Sequence, residues 1–91
     1  MPQYVVEREI PKVGQWTMEK LKKASKTSCD AIVELGPDIQ WHHSFVTGDR
    51  LYCIYDAANE EIIRKHSRIS GIPLTRISEV IHVISPETAG E

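Results

Sequence analysis

Trp41-His42-His43-Ser44-Phe45 and Leu51-Tyr52-Cys53-Ile54-Tyr55, joined through the polar turn Thr47-Gly48-Asp49-Arg50, are the segments that decide the fold. Both runs are rich in aromatic and β-branched residues, and a short Gly-containing connector between two such runs signals a β-hairpin. On its N-terminal side, Tyr4-Val5-Val6-Glu7-Arg8-Glu9 is strand-prone and is stopped by Pro11 and Gly14. Thr17 then offers a helix N-cap, with Trp16 and Leu21 spaced as a hydrophobic staple across it. Met18, Leu21, Ala24, Ser28, Cys29, Ile32 and Leu35 recur at three- and four-residue spacing, the pattern of one helix face, and Gly36-Pro37 ends it. On the C-terminal side, Asn59 caps a second helix whose first turn carries Glu60 and Glu61, where the helix dipole favours negative charge. Its predicted inward face is Ile62, Ile63, His66 and Ile69, and Gly71 and Pro73 close it. The fourth strand is expected over residues 76–84, with residues 84–91 as a loosely ordered tail.

The resulting order, β-α-β-β-α-β, predicts an α+β ferredoxin-like sandwich: a single domain over residues 1–91, with two helices on one face of an antiparallel sheet. The helices leave the other face bare, yet the strands place apolar side chains on both sides. Val5 opposes Val6, Tyr52 and Ile54 oppose Leu51 and Cys53, and Val80 and Ile84 oppose Ile77, Ile81 and Val83. A sheet apolar on both faces needs a second cover, and the economical one is a second copy of itself. The expectation is a homodimer of the dimeric α/β-barrel type, formed through sheet packing.

Bulk properties narrow the function. The chain has 91 residues, a formal net charge of −2 and 41% hydrophobic residues. The charge argues against a nucleic-acid partner, whose recognition rests on clustered Lys and Arg. No apolar run is long enough to cross a membrane, and no secretory signal is visible. Two cysteines without metal-finger spacing read as free thiols in the cytoplasm. No phosphate-cradling glycine loop, dinucleotide fingerprint or Ser-His-Asp arrangement is present.

What remains are soft donors on the hairpin. Strand alternation sends His42 and His43 to opposite faces, so only one of them shares a face with Cys53. A two- or four-residue loop selects His42, whereas a three-residue loop with a bulge selects His43. Imidazole with thiolate suits nickel, copper or zinc; a packed, hydrogen-bonded histidine is the competing reading. His66 falls on the inward face of the second helix, where a histidine must be hydrogen-bonded or ligated. Glu79 and Glu7 alternate with apolar residues, so each carboxylate calls for a partner, with Arg8 or Arg76 across a dimer as the alternative to a cation. Tyr52 and Tyr55 read as dimer packing, with a pocket wall as the alternative.

Several segments together resemble a known family: Tyr-Val-Val-Glu-Arg-Glu-Ile-Pro, Glu-Leu-Gly-Pro-Asp-Ile-Gln-Trp, His-Ser-Phe-Val-Thr, Leu-Tyr-Cys-Ile-Tyr, Asn-Glu-Glu-Ile-Ile-Arg-Lys-His and Arg-Ile-Ser-Glu-Val. The family comprises small bacterial proteins labelled nickel-binding or nickel-responsive, formerly a domain of unknown function. The resemblance implies a cytoplasmic ferredoxin-like dimer that binds Ni²⁺ or another transition metal ion, without an established catalytic activity. By position it carries over Glu7, His43, Tyr52, Cys53, His66 and Glu79. The family commonly has one histidine in its Trp-x-His-Ser segment; His42 stands at the variable place, which favours His43.

The leading expectation is therefore a non-enzymatic metal-binding protein using His43, Cys53, His66 and Glu79, with His42, Glu7 and Tyr52 as additional candidates. The alternative is a cofactor-free oxygenase- or isomerase-like enzyme with a pocket near His66. RNA binding through Tyr52 and Tyr55 is disfavoured by the acidic charge.

Overall fold

Residues 1–90 are described by the computed structural model of the chain. Strand β1 (Gln3–Glu9) leads through a 3-10 turn (Val13–Gln15) into helix α1 (Met18–Leu35). The hairpin β2 (Ile39–Val46) and β3 (Arg50–Ala57) follows, then α2 (Glu60–Ser70), β4 (Arg76–Glu79) and a helical turn, α3 (Pro86–Ala89). The sheet is antiparallel with strand order β2-β3-β1-β4. This is the ferredoxin-like arrangement that the sequence predicts.

The local signals act where expected. The Thr17 side chain accepts the Lys20 N–H at 3.1 Å, and Asn59 accepts that of Ile62 at 3.0 Å. Gly71 ends α2 at φ 74°, a left-handed conformation that costs glycine little. Gly14 is required for a different reason: a Cβ there would meet the Thr47 carbonyl oxygen at 2.7 Å. The hairpin tip is docked on the segment before α1, with Gly14 N–H donating to Gly48 O and Ile10 N–H to Asp49 O.

Alternation assigns the two sheet faces. Tyr4, Val6 and Arg8 of β1 and Cys53, Tyr55 and Ala57 of β3 are buried under the helices, together with Ile39 and Ile63. Val5, Glu7, Tyr52, Ile54 and Asp56 lie on the opposite face, which no element among the described residues covers. The least dimension of the molecule is 19 Å, about one sheet and one helix layer thick.

Three expectations about the helices and the last strand change. Met18 and Cys29 of α1 point outward, and Ala31 joins Ser28 in the interior. In α2 Ser67 joins Ile63 and His66 in the interior, and Ile69 is exposed. Strand β4 stops at Glu79 rather than residue 84. It pairs with β1 from Arg76–Glu7 to Glu79–Tyr4, and a last bond runs from Val80 N–H to Gln3 O. Beyond that β1 has no strand residues left to offer, so Ile81, Val83 and Ile84 leave the sheet exposed. The tail expected to be loose contains the capped turn α3, where Ser85 and Thr88 exchange capping-box bonds. This extension explains a radius of gyration of 14.0 Å, against about 12 Å for a compact chain of this length.

Candidate functional site

The hairpin geometry separates the donors. Val46 pairs with Leu51, Phe45 with Tyr52, Ser44 with Cys53 and His43 with Ile54, which is the register of a two-residue turn at Gly48-Asp49. That register alone would put residue 42 beside Tyr55, on the Cys53 face. Instead Trp41 takes the place opposite Tyr55, and the register shifts between Trp41 and His43. His42 is the extra residue of a β-bulge, and a bulge re-aims side chains. Its Nε2 lies 2.8 Å from Asp56 Oδ2, so it stands on the bare face with Asp56. His43 is on the same face, edge-on to Phe45 with ring centroids 5.1 Å apart.

The expected meeting of imidazole and thiol in the hairpin is thereby corrected: His42 and His43 both lie across the sheet from Cys53. The candidates fall into two groups. His42, His43, Glu7 and Tyr52 are on the bare face, where Glu7 is paired within the chain with Arg50 at 3.2 Å. Cys53, His66 and Glu79 belong to the helix side. Glu79 sits on the edge strand β4 opposite Tyr4, two strands away from Cys53. Among the described residues no three His, Cys, Asp or Glu side chains converge to hold an ion. The set His43, Cys53, His66 and Glu79 is not assembled within one chain.

Sequence reasoning missed the centre of the helix side, which is Arg8. Arg8 is 1% exposed and the largest fully buried side chain. Its Nη1 donates to Ser67 Oγ at 2.8 Å, Pro73 O at 3.1 Å and Ile72 O at 3.3 Å. Its Nη2 donates to the Tyr55 hydroxyl at 3.2 Å and approaches His66 Nδ1 at 3.5 Å. Arginine only donates, so His66 Nδ1 is the acceptor and its proton sits on Nε2. That N–H is directed at Ser28, 3.1 Å from Oγ and 3.2 Å from the carbonyl oxygen. Both ring nitrogens are therefore occupied, which leaves His66 neither a free lone pair for a metal nor a free site for proton abstraction. The signal was present in the chain: Arg8 alternates in phase with Tyr4 and Val6, so its side chain had to enter the core.

Burial holds the His66 pKa below its ordinary value of 6.5, and the neighbouring Arg8 charge lowers it further against the opposing Ser28 backbone bond. Between that lowered pKa and 6.5 the unfolded chain binds more protons than the folded one. His66 therefore makes stability rise with pH through this window and fall on acidification. Thermal melts taken from pH 7 down to pH 5 are expected to show this decline, and His66→Gln to flatten it; an unchanged slope in the variant would contradict the assignment. Burial raises the pKa of Tyr55, with Arg8 opposing, and that of Tyr4, with Glu79 and Glu60 adding to it. Their contributions are intact below the ordinary tyrosine value of 10.0 and are lost as pH rises beyond it.

Comparison with known proteins adds the family. The description "Nickel responsive protein SCO4226-like" matches residues 4–80. The chain belongs to that family. A crystal structure of SCO4226 from Streptomyces coelicolor A3(2) superposes with a TM-score of 0.75 and covers 90% of this chain and 99% of that one. The identity is 14%, so this likeness establishes the shared fold and no more. A search of curated proteins found no match. Among the described residues, no helix is long and apolar enough to cross a membrane.

Proposed function

We propose that this protein binds nickel as a homodimer, through the bare face of its sheet and without an enzymatic activity of its own. The observation that carries the reading is the pair of imidazoles on that face, one of them set up as a ligand. His42 bonds Asp56 through Nε2, which leaves Nδ1 for an ion; a ligating histidine tied to a carboxylate through its other nitrogen is the usual outer arrangement of metal sites. Imidazole nitrogen suits Ni²⁺. One chain supplies too few donors, whereas two copies facing each other supply His42 and His43 twice. The same face carries Val5, Ile54 and Phe45, and Phe45 is 58% exposed, so a second copy would also cover apolar surface. Of the residues carried by the family resemblance, His43 keeps its role, Glu7 and Tyr52 border the site, and Cys53, His66 and Glu79 drop out of it. A cytoplasmic setting accords with Cys29 and Cys53, both free thiols.

Calorimetric titration of tag-free protein with Ni²⁺, paired with sedimentation, tests this. The expected result is saturable uptake of one ion per two chains by a species of twice the chain mass. No uptake, or uptake by a monomer, would overturn the proposal.

A further inference from the structure

Arg8 carries a full positive charge, because guanidinium does not deprotonate in proteins. Among the described residues it forms no ion pair with a carboxylate. Its acceptors are two hydroxyls, two backbone carbonyls and a neutral imidazole. The C-terminal end of α2, beside which Ser67, Ile72 and Pro73 lie, contributes a negative dipole end equivalent to about half an elementary charge. Part of a buried positive charge therefore remains uncompensated, and that is costly in a low-dielectric interior.

The charge borders a cavity of about 70 Å³ between α1 and the helix side of β2 and β3. Its buried lining is Arg8, Ser28, Cys53 and Tyr55; its half-exposed lining includes Trp16, Leu21 and Trp41. The buried end is rich in donors. The Tyr55 hydroxyl accepts from Arg8 and is within hydrogen-bonding reach of Ser28, whose Oγ lies where it receives the His66 Nε2–H, so the two hydroxyls keep one proton between them to give. No carboxylate lines the cavity to compete for them. The volume equals roughly two waters' share of liquid, room for a carboxylate group, while the indoles and Leu21 offer an apolar wall towards the open side.

We propose that this cavity binds a small apolar carboxylate, its charge at the Arg8–Tyr55–Ser28 end and its hydrocarbon against Trp16 and Trp41. The site is on the opposite side of the sheet from His42 and His43, so it stands or falls independently of nickel binding.

The probe is hexanoate, titrated into the full chain in the presence of a chelator and followed by calorimetry and tryptophan fluorescence. The chain has two tryptophans, and both line the cavity. Saturable binding with a fluorescence change is expected. Hexanamide, of the same shape without the charge, is expected to bind at least about tenfold more weakly, as loss of a charge-assisted contact requires. Ala24 also lines the cavity on half-exposed α1; Ala24→Leu fills it and is expected to weaken hexanoate at least about tenfold while the circular dichroism stays that of the folded chain. Equal binding of hexanoate and hexanamide would overturn the proposal, as would no saturable binding up to about 10 mM or unchanged binding in folded Ala24→Leu. The amide comparison uses the parent chain alone, so it decides the matter even where the substitution fails to fold.

Discussion

Arg8→Met is expected to destabilise the fold by about 3 kcal/mol, lowering the melting temperature by roughly 15 °C. Methionine fills much of the arginine stem's volume but donates nothing, so Ser67, Tyr55, His66 Nδ1 and the carbonyls of Ile72 and Pro73 each lose a partner. A buried polar group left unmet costs about 1–3 kcal/mol. Two effects keep the total below the simple sum. Removing the guanidinium also removes its own desolvation penalty, and the adjacent cavity lets water reach part of the cluster. Five orphaned groups still outweigh both, and the loss is a large fraction of the roughly 5–15 kcal/mol that holds a typical domain together. Arg8→Lys should fall between, since the charge stays but the planar fork that reaches α2 and Tyr55 together does not. Urea denaturation of the three proteins checks this; a midpoint for Arg8→Met within experimental scatter of the parent would show that the cluster contributes no net stability.

The second large effect concerns metal. His42→Ala combined with His43→Ala is expected to weaken Ni²⁺ uptake at least about 100-fold, while Cys53→Ser leaves it unchanged. The contrast follows from the register: both imidazoles share the bare face with Asp56, whereas Cys53 is buried under the helices. A complex without thiolate should also lack sulfur-to-nickel charge-transfer absorption in the near ultraviolet. Loss of uptake in Cys53→Ser, with the histidine variant unaffected, would move the ion to the helix side and end the bare-face reading. The alanine substitutions are at exposed positions of β2, so their cost to the fold is small.

Local chemistry made most of the fold readable. Thr17, Asn59 and Gly71 are helix-boundary residues whatever surrounds them, and the strand-prone runs announced four strands in the right order. Three features depended on information that no single segment holds. The end of β4 is decided by where β1 begins, so the apolar run after Glu79 reads as strand locally and still leaves the sheet for want of a neighbour. Ser67 rather than Ile69 faces inward because Arg8 reaches it from another element. The facing of the histidines required both the turn at Gly48-Asp49 and the irregularity at residue 42, and only the turn has a sequence signature. Arg8 is the reverse case. Its phase with Tyr4 and Val6 was visible, and the general preference of arginine for solvent concealed it.

The irregularity at His42 has an evolutionary corollary. Taking residue 42 away would leave Trp41 opposite Tyr55 and His43 opposite Ile54, as they are now, in an ordinary ladder. An added codon at this spot is thus silent to the interior: it gives the outer surface one more nitrogen ligand while every neighbour keeps its place. Chemistry on one side of the layer is free to change length without renegotiating the packing on the other.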